Sequence, residues 1–175
     1  MIDSPLKHPK SKAISLVSLP TRLHLEFELH MMKLESVDDS FFSFLPEDWR
    51  SELLPQWDHL KSTSPVFTLG SKESIHCMGI IFEHEPPRFS RYEQKHASQY
   101  RDYVYLGYLY TIPEYRQQSR ARYWVETIKE LYKSRGIWLA IEDLSLQIFY
   151  EKLGFIATEA SYEDEQIYYL PPYSL

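Results

Sequence analysis

The chain has 175 residues, 43% of them apolar, a single cysteine and a formal net charge of −6. That length predicts one compact domain with a sizeable core, and the lone Cys77 excludes an internal disulfide and points to a reducing compartment. The negative charge disfavours nonspecific nucleic-acid binding and favours a cationic partner such as an amine; the scattered histidines have no metal-ligand spacing, and no stretch approaches the roughly twenty apolar residues of a membrane span. The expectation is a soluble cytoplasmic protein, monomer or homodimer, with no nucleic-acid or membrane partner.

Residues 1–12, "MIDSPLKHPKSK", lack periodicity and an apolar h-region and read as a loose leader, leaving 13–175 as the single domain. "AISLVSL" predicts a first strand. In "PTRLHLEFELHMMKLES", Leu23, Leu25, Phe27 and Leu29 alternate like a strand, while Leu23, Phe27 and Met31 share a helical stripe; helix is the expectation. "LPEDWRSELLPQWDHL" places Trp49, Leu53, Trp57 and Leu60 at helical spacing, and Pro55, lacking an N–H, should split it into two short helices. "PVFTLGSKESIHCMGIIFEHE" reads as a hairpin. From Pro86 to Asp102 the chain is polar without period, which predicts a long structureless connection acting as a mobile flap over a functional cleft.

"YVYLGYLYTI" is a strand in which Gly107 hints at a bulge or a close backbone approach. Ala121, Trp124, Val125, Ile128, Leu131 and Tyr132 then form one stripe of a helix closed near Gly136. "IWLAI" suits a strand buried on both faces. Leu146, Phe149, Tyr150 and Leu153 make another amphipathic stripe, opened by Asp143 or Ser145 and stopped by Gly154, and "FIAT" and "EQIYYL" close the chain as strands.

Two blocks resemble the GNAT superfamily of acetyl-CoA-dependent N-acetyltransferases. "RQQSRA" is similar to its pyrophosphate loop, Arg/Gln-x-x-Gly-x-Gly/Ala, with Arg116 first, Ser119 in place of the first glycine and Ala121 at the second; "TIPEYR" leads into it as the family's fourth strand does. "LSLQIFYEKLGF" is similar to the family's "lYeklGF" block. The resemblance runs from about Val66 to the end. It implies an α+β fold, a mixed but mostly antiparallel sheet with helices on both faces, and transfer of acetyl from acetyl-CoA to a primary amine of a small molecule or peptide by direct attack. A non-catalytic acyl-CoA-binding or protein-interaction module on the same fold is the alternative.

A helix N-terminus offers unpaired N–H groups and the positive end of the helix dipole, so backbone donors at Gln117, Gln118, Ser119, Arg120, Ala121 and Arg122 can hold a pyrophosphate, with Arg116, Arg120 and Arg122 adding charge. The loop survives without glycine if Ser119 holds a helical, φ-negative geometry. The resemblance further implies that the thioester lies between the fourth and fifth strands near a bulge at Leu109, Tyr110 and Thr111, where a backbone N–H polarises the acetyl carbonyl. It makes Tyr150 the acid that protonates the departing thiolate, against the alternative of a core aromatic. Asp143 stands where many members carry an asparagine touching pantetheine; an N-cap is its other role. The base is open among Glu83, His84, Glu85 and Glu142, and Tyr103, Tyr105, Tyr108 and Tyr110 are candidates to wall the acceptor pocket.

Overall fold

The computed structural model describes residues 29–71, 74–84, 87–159 and 164–173. Seven strands form one sheet in the order β1-β2-β3-β4-β5-β7-β6: β1 His30–Leu34, β2 Val66–Gly70, β3 Ile75–Phe82, β4 Val104–Thr111, β5 Ile137–Ile141, β6 Ile156–Ala157 and β7 Gln166–Leu170. All neighbours are antiparallel except β4 and β5, which are parallel because helix α3, Arg120–Leu131, crosses between them. This is the α+β sheet expected from the sequence.

The core divides by sheet face. On one side Trp124, Val125 and Ile128 of α3 pack with Phe67, Cys77, Ile81, Leu106 and Leu139, joined by Tyr150 and Leu153 from the α4 region, where α4 spans Gln147–Lys152. On the other, Leu53, Trp57 and Leu60 of α1, Glu47–Leu60, cover Val66, Met78, Ile80 and Phe82. Strand alternation makes the division: from Cys77 to Phe82 the odd residues of β3 face α3 and the even ones face α1. Gly79 is where α3 lands on the sheet, since a Cβ there would stand 2.6 Å from the Trp124 ring, whose Nε1 donates to the Phe67 carbonyl at 3.0 Å.

Three expectations about elements change. The segment read as helix is strand β1 from His30 onward, pairing Met31 with Leu69 across the edge of the sheet; its first part and "AISLVSL" lie outside the described residues. Here the period-2 pattern wins because an edge of β2 needs a partner and Met31 and Leu34 fill the core. α1 runs unbroken through Pro55, which sits on the exposed face while Leu53, Trp57 and Leu60 anchor the helix, Trp57 Nε1 donating to the Val37 carbonyl at 3.1 Å. Tertiary burial outweighs the missing N–H. The long connection is ordered where it is described: Ser90 and Glu93 form a reciprocal capping box that opens helix α2, Arg91–Ala97, and a 3₁₀ turn, Ser98–Tyr100, follows. Tyr92 and Tyr100 bury against Trp138 and Ile167, so the segment is part of the fold.

Candidate active site

β4 and β5 pair only at Val104 with Ile137 and Tyr105 with Trp138. Beyond that rung the strands part, leaving a wedge between Leu106–Thr111 and Leu139–Ile141. Among the described residues the edges bordering it have no ladder partner there, so backbone polar groups of β4 and β5 are available to a ligand.

The wedge coincides with a bulge. Met78 pairs with Tyr110 but Ile80 with Gly107, so β4 carries one extra residue at Tyr108–Leu109, and Tyr108 is left-handed at φ +55°. The sequence signal at Gly107 is displaced by one residue: Gly107 is the close approach, with a Cβ placed 2.9 Å from the Phe82 ring. The bulge also decides which way the tyrosines face. Tyr103 and Tyr105 occupy odd positions, Tyr108 and Tyr110 even ones, so a regular strand would point the pairs to opposite faces. The extra residue switches the parity, and the four rings lie on the α1 and α2 side while Leu106 and Leu109 lie on the α3 side.

At its open end β4 leads through the turn Pro113–Tyr115 into the loop Arg116–Ser119 and α3. Gln117 and Ser119 are both left-handed, at φ +59° and +58°. The φ-negative geometry expected of Ser119 is not what the chain adopts: serine here takes the conformation that glycine holds without strain, and the loop keeps its curl without glycine. Among the described residues, no hydrogen bond of normal geometry meets a backbone N–H from Gln117 to Arg122; the first carbonyl of the turn, Ser119, accepts from Tyr123 at 3.0 Å. These donors point off the helix end with its positive dipole. Arg120 has a buried Nε without a partner among the described residues and its Nη2 on Gln118 Oε1 at 3.2 Å. Arg116 turns back to the Thr111 carbonyl, Nε at 3.2 Å, its guanidinium 5.6 Å from the Tyr110 ring centre, and Arg122 is exposed. Behind the loop, His76 stacks on Tyr115 with ring centres 3.6 Å apart and Nε2 2.9 Å from Ser74 Oγ, a brace for the turn. Burial and the nearby Arg120 charge hold the His76 imidazole below its usual pKa, so it stays neutral.

Tyr150 is buried on α4, its ring edge-on to Phe149 and Phe155, and its hydroxyl makes no hydrogen bond among the described residues. Burial, with Cys77 nearby, pushes the phenol well above its ordinary value and keeps it protonated. The Cys77 thiol is pushed up to about 11 by burial, which makes it inert as a nucleophile. Asp143 is exposed and caps the turn Leu144–Leu146, accepting from Ser145 N at 3.0 Å, and this hydrogen bonding lowers its pKa.

Of the candidate bases, Glu83 accepts from Tyr132 Oη at 2.5 Å beyond the end of β3, level with the start of β4 and thus at the closed end of the wedge. His84 lines a cavity of about 380 Å³ at the same end, walled by Phe82, Phe89, Tyr100, Tyr103 and Trp138. Antiparallel pairing carries the end of β3 away from the open end of β4, so neither stands beside the loop. Glu85 lies outside the described residues, and Glu142 follows β5 at the open end, exposed. A carboxylate that sequence reading missed is tied to the last residue of β4 that pairs with β5: Glu93 on α2, buried, accepting from Tyr105 Oη at 2.6 Å and Ser90 N at 2.8 Å. The pattern Ser90-x-x-Glu93 is the signal that would have revealed both the helix and this residue.

Among the described residues there is no group of three or more potential metal ligands, and no helix is long and apolar enough to cross a membrane. No curated protein sequence matches the chain significantly. Solved structures share the fold at low identity. PH1933 from Pyrococcus horikoshii OT3 superposes with a TM-score of 0.59 at 15% identity, covering 85% of this chain and 100% of its own. The Bacillus subtilis N-acetyltransferase YlbP, solved in complex with coenzyme A, gives 0.52 at 16% identity over 83% of this chain and 97% of its own. The ribosomal-protein-S18-alanine N-acetyltransferase from Escherichia coli gives 0.50 at 16% identity over 85% and 96%. The family model described as acetyltransferase (GNAT) family matches residues 34–155, and with the parted parallel strands, the bulge and the open helix end in place, the chain belongs to the GNAT acetyltransferase family.

Proposed function

We propose that the protein is an N-acetyltransferase that moves an acetyl group from acetyl-CoA to the primary amine of a small molecule or peptide by direct attack. The observation that carries this reading is the continuity of the wedge with the loop: parted β4 and β5 edges lead to the N–H groups of residues 117–122, which meet no hydrogen bond of normal geometry among the described residues. A coenzyme A relative of the fold makes that ligand the natural occupant. The fit is chemical as well. Pyrophosphate supplies the acceptors that these donors lack, and Arg116, Arg120 and Arg122 supply charge within a protein whose net charge is −6.

In this reading the thioester lies in the wedge beside the bulge, and a backbone N–H of Leu109, Tyr110 or Thr111 stabilises the oxyanion as the amine attacks. Tyr150 donates its proton to the departing thiolate; its raised pKa keeps that proton available at neutral pH. Asp143 acts as the cap of its turn. The amine approaches from the tyrosine-lined face, opposite α3. Calorimetric titration of acetyl-CoA with an assay of thiol release over a panel of amines tests the proposal. Binding with amine-dependent release supports it, and binding without release to any amine favours the non-catalytic module.

A further inference from the structure

We propose that Glu93, on helix α2, is the proton acceptor for the attacking amine and that Tyr105 positions its carboxylate. This rests on the acetyl-transfer reading above. The last rung of the parallel pair, Tyr105 with Trp138, is the apex of the wedge. Tyr105 points to the face opposite α3, and its hydroxyl donates to Glu93 Oε1 at 2.6 Å. The carboxylate therefore overhangs the apex on the side from which the amine approaches, with the bulge three residues further along β4, about 10 Å away. At the bulge, burial raises the pKa of Tyr108, with smaller contributions from Glu52 of α1 and then from Glu93, whose field reaches that phenol.

The seat is built to hold a carboxylate in one orientation. Glu93 Oε2 accepts from Ser90 N at 2.8 Å, Ser90 Oγ accepts from Glu93 N at 3.0 Å, and the same Ser90 hydroxyl reaches Glu165 before β7 at 2.8 Å. Tyr92 and Tyr100, on either side in the chain, are buried against Trp138 and Ile167, which fixes α2 to the sheet. Around the carboxylate stand the Tyr105 and Tyr108 phenols of β4, Glu142 after β5 and Glu165, with His96 of α2 acting on Glu165. No cation pairs with Glu93 among the described residues, and burial, reinforced by Glu142, holds its carboxyl above the usual carboxylate range. That suits a base, because a carboxylate poised closer to neutrality takes a proton more readily than one at its ordinary value.

The proton count closes for an amine that arrives neutral. The C–N bond forms as the carbonyl electrons move to oxygen; the nitrogen, now cationic, gives up a proton that water in the cleft relays to Glu93 across the gap of about 10 Å. The C–S bond breaks, and the thiolate takes the proton of Tyr150. Solvent then carries a proton from Glu93 back to Tyr150. An amine that arrives as an ammonium ion must first lose one further proton, which Glu93 takes and passes to solvent, so an alkylamine depends on the carboxylate more than an acceptor that arrives neutral.

The test compares wild type and Glu93→Gln with two acceptors, an alkylamine and methoxyamine, which is neutral at pH 7. Glutamine at this position still serves the capping box, so α2 is retained. Expected is a loss of about a hundredfold in kcat/KM for the alkylamine, an acetyl-CoA Kd unchanged by calorimetry, and a loss under tenfold for methoxyamine. Equal losses for both acceptors, or no loss, overturn the role of Glu93. No transfer by wild type to either acceptor, with acetyl-CoA bound, overturns the proposed function and this role with it. Tyr105→Phe supplies a second readout that leaves the carboxylate in place. Removing a hydrogen bond that favours the ionised form raises the Glu93 pKa, so the acid limb of the kcat/KM profile moves to higher pH. An unmoved limb overturns the proposal.

Discussion

Ser119 is the residue at which conformation and ligand binding can be separated. It is held at φ +58°, ψ 18° immediately before α3, where a Cβ crowds the following carbonyl at a penalty of about 1–2 kcal/mol. Ser119→Gly removes the crowding; the looser unfolded chain returns about 0.5–1 kcal/mol of that, leaving a net gain of about 0.5–1 kcal/mol. For a chain of this length the gain is a rise in Tm of roughly 1–4 °C. Acetyl-CoA affinity should hold or improve, because the backbone donors stay in place and a side chain leaves their approach. Ser119→Glu keeps the Cβ and adds a negative charge beside an anionic ligand, which in a partly desolvated site weakens binding about a hundredfold or more. The assays are differential scanning calorimetry of the free proteins and isothermal titration with CoA. A lower Tm for the glycine form would refute the strain argument, and equal affinities in the glycine, serine and glutamate forms would show that this turn does not hold the cofactor.

Tyr150→Phe should lower kcat about a hundredfold with little change in acetyl-CoA Kd, and an unchanged kcat in a folded variant would remove Tyr150 from the chemistry. Pro55→Ala restores an N–H on the exposed face of α1 and should stabilise the protein by about 1–3 kcal/mol in urea titrations; destabilisation would mean that Pro55 shapes the helix. Gly79→Ala drives a methyl against the Trp124 ring, 2.6 Å from its nearest carbon, and should cost about 1–3 kcal/mol, whereas a wild-type denaturation midpoint would show that α3 shifts freely on the sheet.

The sequence carried the second half of the fold plainly, because there each element has its own punctuation. The stripe Trp124, Val125 and Ile128 predicts α3, and "IFYEKLGF" marks α4 with Gly154, left-handed at φ +88°, as its stop. The first half was harder to read because tertiary contacts decide it. Met31 suits helix or strand until β2 offers an edge, and Pro55 breaks a helix in isolation but not one anchored by Trp57. In the site, the loop Arg116–Ser119 was visible as a pattern, yet the left-handed turn at Ser119 was not, since serine carries no signal for positive φ. The bulge was foreshadowed by Gly107, whereas the parity change between Tyr105 and Tyr108 reads as an inserted residue only once the β3–β4 register is known. Glu93 escaped notice because the seventeen residues from Pro86 to Asp102, mostly polar and without period, look alike without the three-residue spacing to Ser90.

The central claim is that one ligand bridges the β4 edge and the N-terminus of α3. Backbone amide NMR during an acetyl-CoA titration tests it most directly. The account predicts concerted shifts and slowed hydrogen exchange at Gln117–Arg122 together with Leu109–Thr111, with the edge-strand amides of β1 unmoved. Saturable binding that leaves the amides of residues 117–122 unshifted and unprotected would contradict it.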